Sequence, residues 1–175
     1  YNSIETGLIV AERGIIYDRR GELIVWNELD QSGQYEFPVR AYTDRRGFGQ
    51  LIGYVSYPQK DSSGVYFRTD YIGRNGVEAT YENILHGENG KQLIEVNVHG
   101  DIIAENVTHS ATPGKEVHLS IDAELSEVMH DLISTTTIKN GFRSGAGAIM
   151  DIHTGEIIAL TSFPSYDPEV LADGD

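Results

Sequence analysis

Residues able to do chemistry are plentiful in this sequence, but their spacing does not suit it. Six histidines stand at His86, His99, His109, His118, His130 and His153. No two lie three or four positions apart and none belongs to an H-E-x-x-H, so nothing sets two imidazoles on one helix face around a metal. They read as surface or turn residues. No G-x-S-x-G elbow occurs, and no Ser precedes a Lys by three residues, the spacing that sets an amine beside a hydroxyl. Gly73-Arg74-Asn75-Gly76 has the glycines of a phosphate loop without its Lys-Ser/Thr ending, and reads as a turn into a helix. With 27 acidic residues, no single carboxylate pair stands out as an acid–base couple. The residue types alone reveal no catalytic site, no metal site and no cofactor site.

One stretch still needs an explanation. Arg13-Gly14-Ile15-Ile16-Tyr17-Asp18-Arg19-Arg20-Gly21 crowds charges around an apolar centre, and Leu23-Ile24-Val25-Trp26 continues the apolar pattern. It reads as two short strands joined by a charged turn, with Asp18 hydrogen-bonding the turn backbone and Gly21 free to take positive φ. A charge inside a strand must be partnered or functional, because unpaired burial costs several kcal/mol per ion. The expected partner of Arg13 is Glu78, which follows two glycines and opens a helix, where a carboxylate is favoured. Asp18 and Arg19 are expected to add local links. The alternative is two surface charges that never meet.

The balance of 13 Lys+Arg against 27 Asp+Glu, a formal charge of −14, sets the chain against nucleic acid and anionic lipid. No apolar run approaches the roughly 20 residues of a membrane span. The first residue is Tyr1 rather than Met, so a further segment is expected upstream. Zero cysteines exclude disulfides and thiolate metal sites.

The elements expected to carry these residues alternate strands with a few helices. Asn27–Gln34 is a polar loop, Phe37–Tyr42 a short strand, Thr43–Gly47 a turn, Leu51–Val55 a strand or strand–helix junction, and Lys60–Gly64 a loop. Val77, Tyr81, Ile84 and Leu85 fall at helical spacing over about Val77–Leu85. Ile94, Val96 and Val98 alternate with polar residues, and His99-Gly100-Asp101 turns them into Ile102-Ile103-Ala104, a hairpin with one buried face. Asp122 is a plausible N-cap for a helix with a stripe of Leu125, Val128, Met129, Leu132 and Ile133, closed by Gly141. Ala146–Ile152 and Ile157–Thr161 form a second hairpin. The fold class is α+β: β-rich short strands and hairpins with one helix, then a helix and a hairpin.

The order of these motifs is more informative than any one of them. Arg13–Gly21 resembles the R-G-x-I-x-D-R-x-G signature of class B penicillin-binding proteins. Leu51-Ile52-Gly53-Tyr54-Val55 is similar to that family's G-Y-V element. Gly73-Arg74-Asn75-Gly76-Val77-Glu78, followed by Tyr81–Gly87, resembles its G-x-x-G-x-E…Y-E-x-x-L-x-G element. Leu119–Asp122, Ala148–Asp151, Thr154–Ala159 and Phe163–Pro168 resemble the start of its transpeptidase domain, and the details look closer to elongation-type than division-type enzymes.

The resemblance implies a non-catalytic pedestal over 1–114 and an N-terminal fragment of the transpeptidase domain over 115–175. The family's head insertion is short or deleted near 27–36. Arg13, Gly14, Asp18, Arg19, Gly21, Gly53, Tyr54, Gly73, Gly76 and Glu78 become structural motif residues. The catalytic S-x-x-K, S-x-N and K-T-G motifs do not occur here. The parent would be a serine-type D,D-transpeptidase cross-linking peptidoglycan stem peptides, and this chain alone would be inactive. The implied partners are a SEDS-family glycan polymerase and other cell-wall elongation proteins. Peptidoglycan would be met through the catalytic domain, with a homodimer as a further outcome of unpaired strand edges. The implied place is periplasmic or cell-surface, anchored to the cytoplasmic membrane by an upstream segment. The rival is a stand-alone cell-wall interaction module; an unrelated carbohydrate-binding domain is opposed by the ordered run of motifs.

Overall fold

The computed structural model describes residues 3–99 and 101–172. Strand β1 (Ser3–Ile9) is followed by the charged signature, whose apolar flanks become β2 (Ile16–Tyr17) and β3 (Leu23–Glu28), with β4 (Val39–Tyr42) alongside. One helical turn, α1 (Gly49–Ile52), leads to β5 (Val55–Ser56), β6 (Gln59–Lys60), β7 (Tyr66–Arg68) and β8 (Ile72–Gly73). These nest as two antiparallel pairs, β5 with β8 and β6 with β7. Next come α2 (Gly76–Thr80), α3 (Glu82–Leu85), β9 (Gly90–Val96), β10 (Ile102–His109) and β11 (Val117–His118). Helix α4 (Ala123–Lys139), the hairpin β12 (Gly145–Met150) and β13 (Ile157–Phe163), and α5 (Pro168–Ala172) complete the α+β fold.

The core forms where the short strands meet the short helices. Ile16, Ile24, Val25, Ile52, Val55 and Leu85 are at most 1% exposed, and Phe37, Tyr57 and Tyr71 extend this core as an aromatic cluster. Strand β11 closes the central sheet by pairing parallel to β2, giving the order β11-β2-β3-β4. The crossover into the second half runs tight against the signature. A Cβ on Gly14 would lie 1.9 Å from the Lys115 carbonyl oxygen, and one on Gly114 would lie 1.9 Å from that of Leu85. Glycine is the residue that fits such backbone contact.

Several expectations are corrected. Strand β1 is absent from the sequence reading, because its partner β9 lies some eighty residues away and nothing local announces the pairing. In the hairpin β9–β10, every residue of β10 is exposed, so no buried face exists there: the three-stranded sheet β1-β9-β10 stands off the core. Its turn is drawn by Asn97, whose Oδ1 accepts the His99 and Asp101 amides. Gly100 lies outside the described residues. The single helix expected at Val77–Leu85 is two helical turns interrupted at Tyr81 (φ −102°, ψ 23°), leaving Tyr81 and Ile84 largely exposed. With α1, the first part thus holds three short helices where one was expected. At Leu51–Val55 the junction runs from helix to strand.

Helix α4 begins as the N-cap rule requires, Asp122 accepting the Leu125 amide at 3.0 Å. Its apolar stripe is only partly covered, with Leu125, Met129 and Ile133 half-buried. The helix buries Ala123, Ser126, His130 and Thr137, while Val128 and Leu132 are 52% and 65% exposed. His130 is therefore no surface residue: its Nδ1 lies 3.3 Å from Thr161 Oγ1, which donates to the Gly47 carbonyl. The physical reason is local fit. Gly47 closes so tightly over His130 that a Cβ there would sit 2.6 Å from the ring, and this side of α4 is taken by polar bridges rather than apolar packing. Met129 and Ile133 still touch the hairpin, at Gly145 and Gly147. Val128 and Leu132 stay open to solvent, as do Ile149 and Met150 of β12.

An open apolar helix face beside a strand edge with no partner among the described residues is a template for association. The isolated chain is expected to self-associate, shown by light scattering after size-exclusion chromatography as a mass rising with concentration, and Leu132→Glu should return it to monomer. A monomer whose β12 amides exchange as slowly as those of the core would count against this.

Candidate functional site

The site that the sequence points to is a buried ionic cluster. Four elements supply it: the approach to β2 gives Arg13, β3 gives Asn27, β4 gives Arg40, and the α2–α3 segment gives Glu78 and Glu82. Arg13, Arg40 and Glu78 are each at most 1% exposed. One carboxylate serves both cations: Glu78 Oε2 accepts Arg13 Nε at 2.6 Å and Oε1 accepts Arg40 Nε at 2.8 Å. The remaining guanidinium donors are also used. Arg13 Nη2 reaches the Glu78 carbonyl at 2.8 Å and Glu82 Oε2 at 2.6 Å, and Nη1 reaches Glu82 Oε1 at 3.2 Å. Arg40 Nη2 reaches the Gly14 carbonyl at 2.6 Å and Nη1 reaches Asn27 Oδ1 at 2.9 Å, while Asn27 Nδ2 donates to the Arg13 carbonyl.

Two cations thus meet two carboxylates, and the cluster is formally neutral. Burial pulls Arg13 toward a lower pKa, but hydrogen bonding to Glu82 and the charge of Glu78 outweigh it and leave it raised. Burial acts on Glu82 in the opposite sense, upward. The Arg13 hydrogen bond and charge, with the Gly73 amide at 2.8 Å, overcome that and hold Glu82 below the ordinary glutamate range.

The other singled-out residues fall around this cluster or beside it. Asp18 Oδ1 ties the turn by accepting the Arg20 and Glu22 amides at 2.7 and 2.8 Å, and Gly21 takes φ 83°. Asp18 Oδ2 also accepts the Ala123 amide, so the turn grips the first residue of α4. Gly53 (φ 77°) and Gly76 (φ 59°) interlock α1 with α2: a Cβ on Gly53 would sit 2.0 Å from the Asn75 carbonyl oxygen. Gly73 packs as closely on the Glu78 carbonyl. The Tyr54 ring meets Tyr166 edge-on, at 6.3 Å between centroids. Arg19 stands apart from the local turn, its side chain 38% exposed and 3.8 Å from Glu156, although its amide donates to the Ile121 carbonyl.

Sequence reasoning missed Arg40 as a partner, Glu82, and the surface bridges to α4. A signal existed for the first two: Arg40 is a charge in an apolar strand, as Arg13 is, and Glu82 lies one helical turn beyond Glu78. The bridges join Arg20 to Asp122 at 2.6 Å, Arg45 to both Glu22 and Glu127, and Arg46 to Asp131 at 2.6 Å. Nothing in the local pattern marks these pairs. Among the described residues, no group of three or more His, Asp or Glu side chains could hold a metal ion.

This geometry defines a scaffold: small sheets and helical turns locked by buried ions, with a helix and hairpin bolted to one side. Comparison with known proteins gives it a family. Residues 33–119 match the penicillin-binding protein dimerisation domain. The chain is 33% identical over 158 residues to the peptidoglycan D,D-transpeptidase MrdA of Escherichia coli K12, covering 81% of this chain and 24% of that protein. Against the Escherichia coli FtsI transpeptidase the identity is 26% over 133 residues, covering 76% of this chain and 21% of the other. A crystal structure of Pseudomonas aeruginosa PBP2 in complex with WCK 5153 superposes with TM-score 0.63 at 29% identity, over 97% of this chain and 32% of that one. Penicillin-binding protein 2X from Streptococcus thermophilus shares the fold with TM-score 0.73 at 16% identity, over 95% of this chain and 36% of the other. The chain belongs to the class B penicillin-binding proteins and spans about a quarter of the length of the curated relatives it matches.

Glu78→Gln removes the charge that both buried arginines share, and should lower unfolding stability by about 3–5 kcal/mol, because the survivors remain buried with their compensation gone. Chemical denaturation is the measurement, with Arg46→Ala, an exposed bridge, expected to stay close to the parent. Equal midpoints for Glu78→Gln and the parent would show that the cluster does not hold the fold. Acid should act through Glu82. Its folded pKa lies below the unfolded value near 4.5, so its contribution is complete above that pH and is lost as pH falls through the depressed value. Melting midpoints followed downward from pH 5 should drop, and Glu82→Gln should flatten that limb.

Proposed function

We propose that this chain is the non-catalytic support of a peptidoglycan D,D-transpeptidase. Residues 1–114 act as a pedestal and 115–175 form the opening helix and hairpin of the transpeptidase domain. In this division, Arg13, Gly14, Asp18, Arg19, Gly21, Gly53, Tyr54, Gly73, Gly76 and Glu78 are structural residues, and none of them acts on substrate. The head insertion of the family is reduced to the short loop near 27–36.

The observation that carries this reading is the two-sidedness of α4. One face is bolted to the pedestal through Arg20, Arg45 and Arg46, whereas Val128 and Leu132 are left exposed. That is the form of a sheet layer awaiting further strands and helices. The pedestal would raise the catalytic part off the membrane and meet the proteins that make glycan strands. Among the structural neighbours is a peptidoglycan synthase complex that coordinates polymerisation and crosslinking, with TM-score 0.71 at 24% identity, covering 98% of this chain and 41% of that one. A SEDS-family polymerase is the partner proposed on that footing, with a periplasmic or cell-surface location and an anchor upstream in the cytoplasmic membrane.

A fluorescent penicillin tests the reading. The complete gene product should label covalently at a serine within an S-x-x-K motif, and the 175-residue chain should not label. A complete gene product without that motif, and without labelling, would leave a stand-alone cell-wall interaction module instead.

A further inference from the structure

The stretch 164–167, between β13 and α5, belongs to neither element. Backbone without a ladder of its own has to find its hydrogen-bond partners elsewhere. Here the pedestal provides them. Gln50 of α1 does so twice: its Nε2 donates to the Pro164 carbonyl at 2.9 Å, and its Oε1 accepts the Ser165 hydroxyl at 2.9 Å. One carboxamide thus presents a donor and an acceptor side by side, as a neighbouring strand would. The Gly49 amide donates to Ser165 Oγ at 3.3 Å, and a Cβ on Gly49 would overlap the Tyr166 carbonyl oxygen. Tyr166 Oη donates to Asn75 Oδ1 at 3.3 Å, beside the α1–α2 interlock. Just upstream, Thr161 is held by the Gly47 carbonyl. Just downstream, α5 sets Ala172, 1% exposed, into the main core.

The pedestal turn 47–50 therefore fixes the path by which the chain leaves the hairpin β12–β13. Gln50 itself is exposed, so its amide contributes direction and not core packing. We infer that Gln50 is a positioning residue for the transpeptidase reaction. By holding 164–167 it sets the hairpin sheet against the pedestal, and catalytic groups built on that sheet take their orientation from it. This role rests on the reading of the chain given under Proposed function. A remote amide can matter because a displacement of about 1 Å, caused far from the chemistry, costs about a hundredfold in rate. The loss falls on the chemical step and leaves the capture of substrate in place.

The complete gene product is the protein to test. Labelling by fluorescent penicillin, followed over time at several concentrations, separates the dissociation constant of the first complex from the acylation rate constant. Gln50→Met keeps the side-chain length and removes both hydrogen bonds. Its acylation rate constant should fall about tenfold, with dissociation constant and melting midpoint close to the parent. Ser165→Ala removes the other end of the contact, and the double variant should be no slower than Gln50→Met. In the 175-residue chain, Gln50→Met should speed amide hydrogen exchange at Ser165 and Tyr166. Three outcomes would overturn the role: an unchanged acylation rate constant, a loss carried by the dissociation constant alone, or unchanged exchange at Ser165 and Tyr166. Each of them leaves the transpeptidase reading standing, because the parent still labels. A parent that does not label would overturn that reading and this role with it.

Discussion

One carboxylate shared by two buried guanidinium groups is the constraint on which this fold depends. Glu78 joins segments separated by 65 and 38 residues, and each would otherwise bring a bare cation into the core. Desolvating such ions costs several kcal/mol apiece, and their mutual attraction offsets the cost only where every donor is satisfied. Here the fork of Arg13 closes on Glu78 and Glu82, and that of Arg40 on Glu78, Asn27 and the Gly14 carbonyl. Such a cluster is weak as a source of net stability and strong as a selector of arrangement. Slipping a strand by one residue would turn Arg40 to the other face and strand its charge. Strands of two residues, such as β2, β5 and β8, have too short a ladder to fix their own register. The ions fix it for them.

The same stretch also transmits that order to the second half of the chain. Gly14 donates to the Leu85 carbonyl and lies against Lys115, so the clasp and the crossover share a backbone contact. Asp18 then splits its two oxygens between its own turn and the first amide of α4. Signature residues that looked local in sequence are thus one joint with two sides. Arg19 is the exception, contributing its backbone rather than its charge to that joint.

What was legible in the sequence was whatever obeys a short-range rule. A charge between apolar residues announced the clasp, Asp122 announced α4, and Gly21 announced its turn. What was not legible depends on remote surfaces. Strand β1 exists because β9 offers an edge, and β10 stays exposed because nothing among the described residues lies over it. The stripe of α4 was legible as apolar but its coverage was not, since periodicity reports which residues share a face and not what covers that face: Leu125, Met129 and Ile133 are half-buried, Val128 and Leu132 exposed. His130 was misjudged for the same reason: its burial is made by Gly47 and Thr161, residues distant in the chain.

The exposed apolar surface is of two kinds, and the difference matters for function. On α4 and β12 it is aliphatic, carried by Val128, Leu132, Ile149 and Met150. At Phe67 it is a single aromatic ring in a groove whose lining also holds Gln34, Gln59 and the Lys60–Glu36 ion pair. Adding strands would bury the first kind completely. It would not bury the second, because a charged pair and two amides at the same rim would have to be desolvated with it.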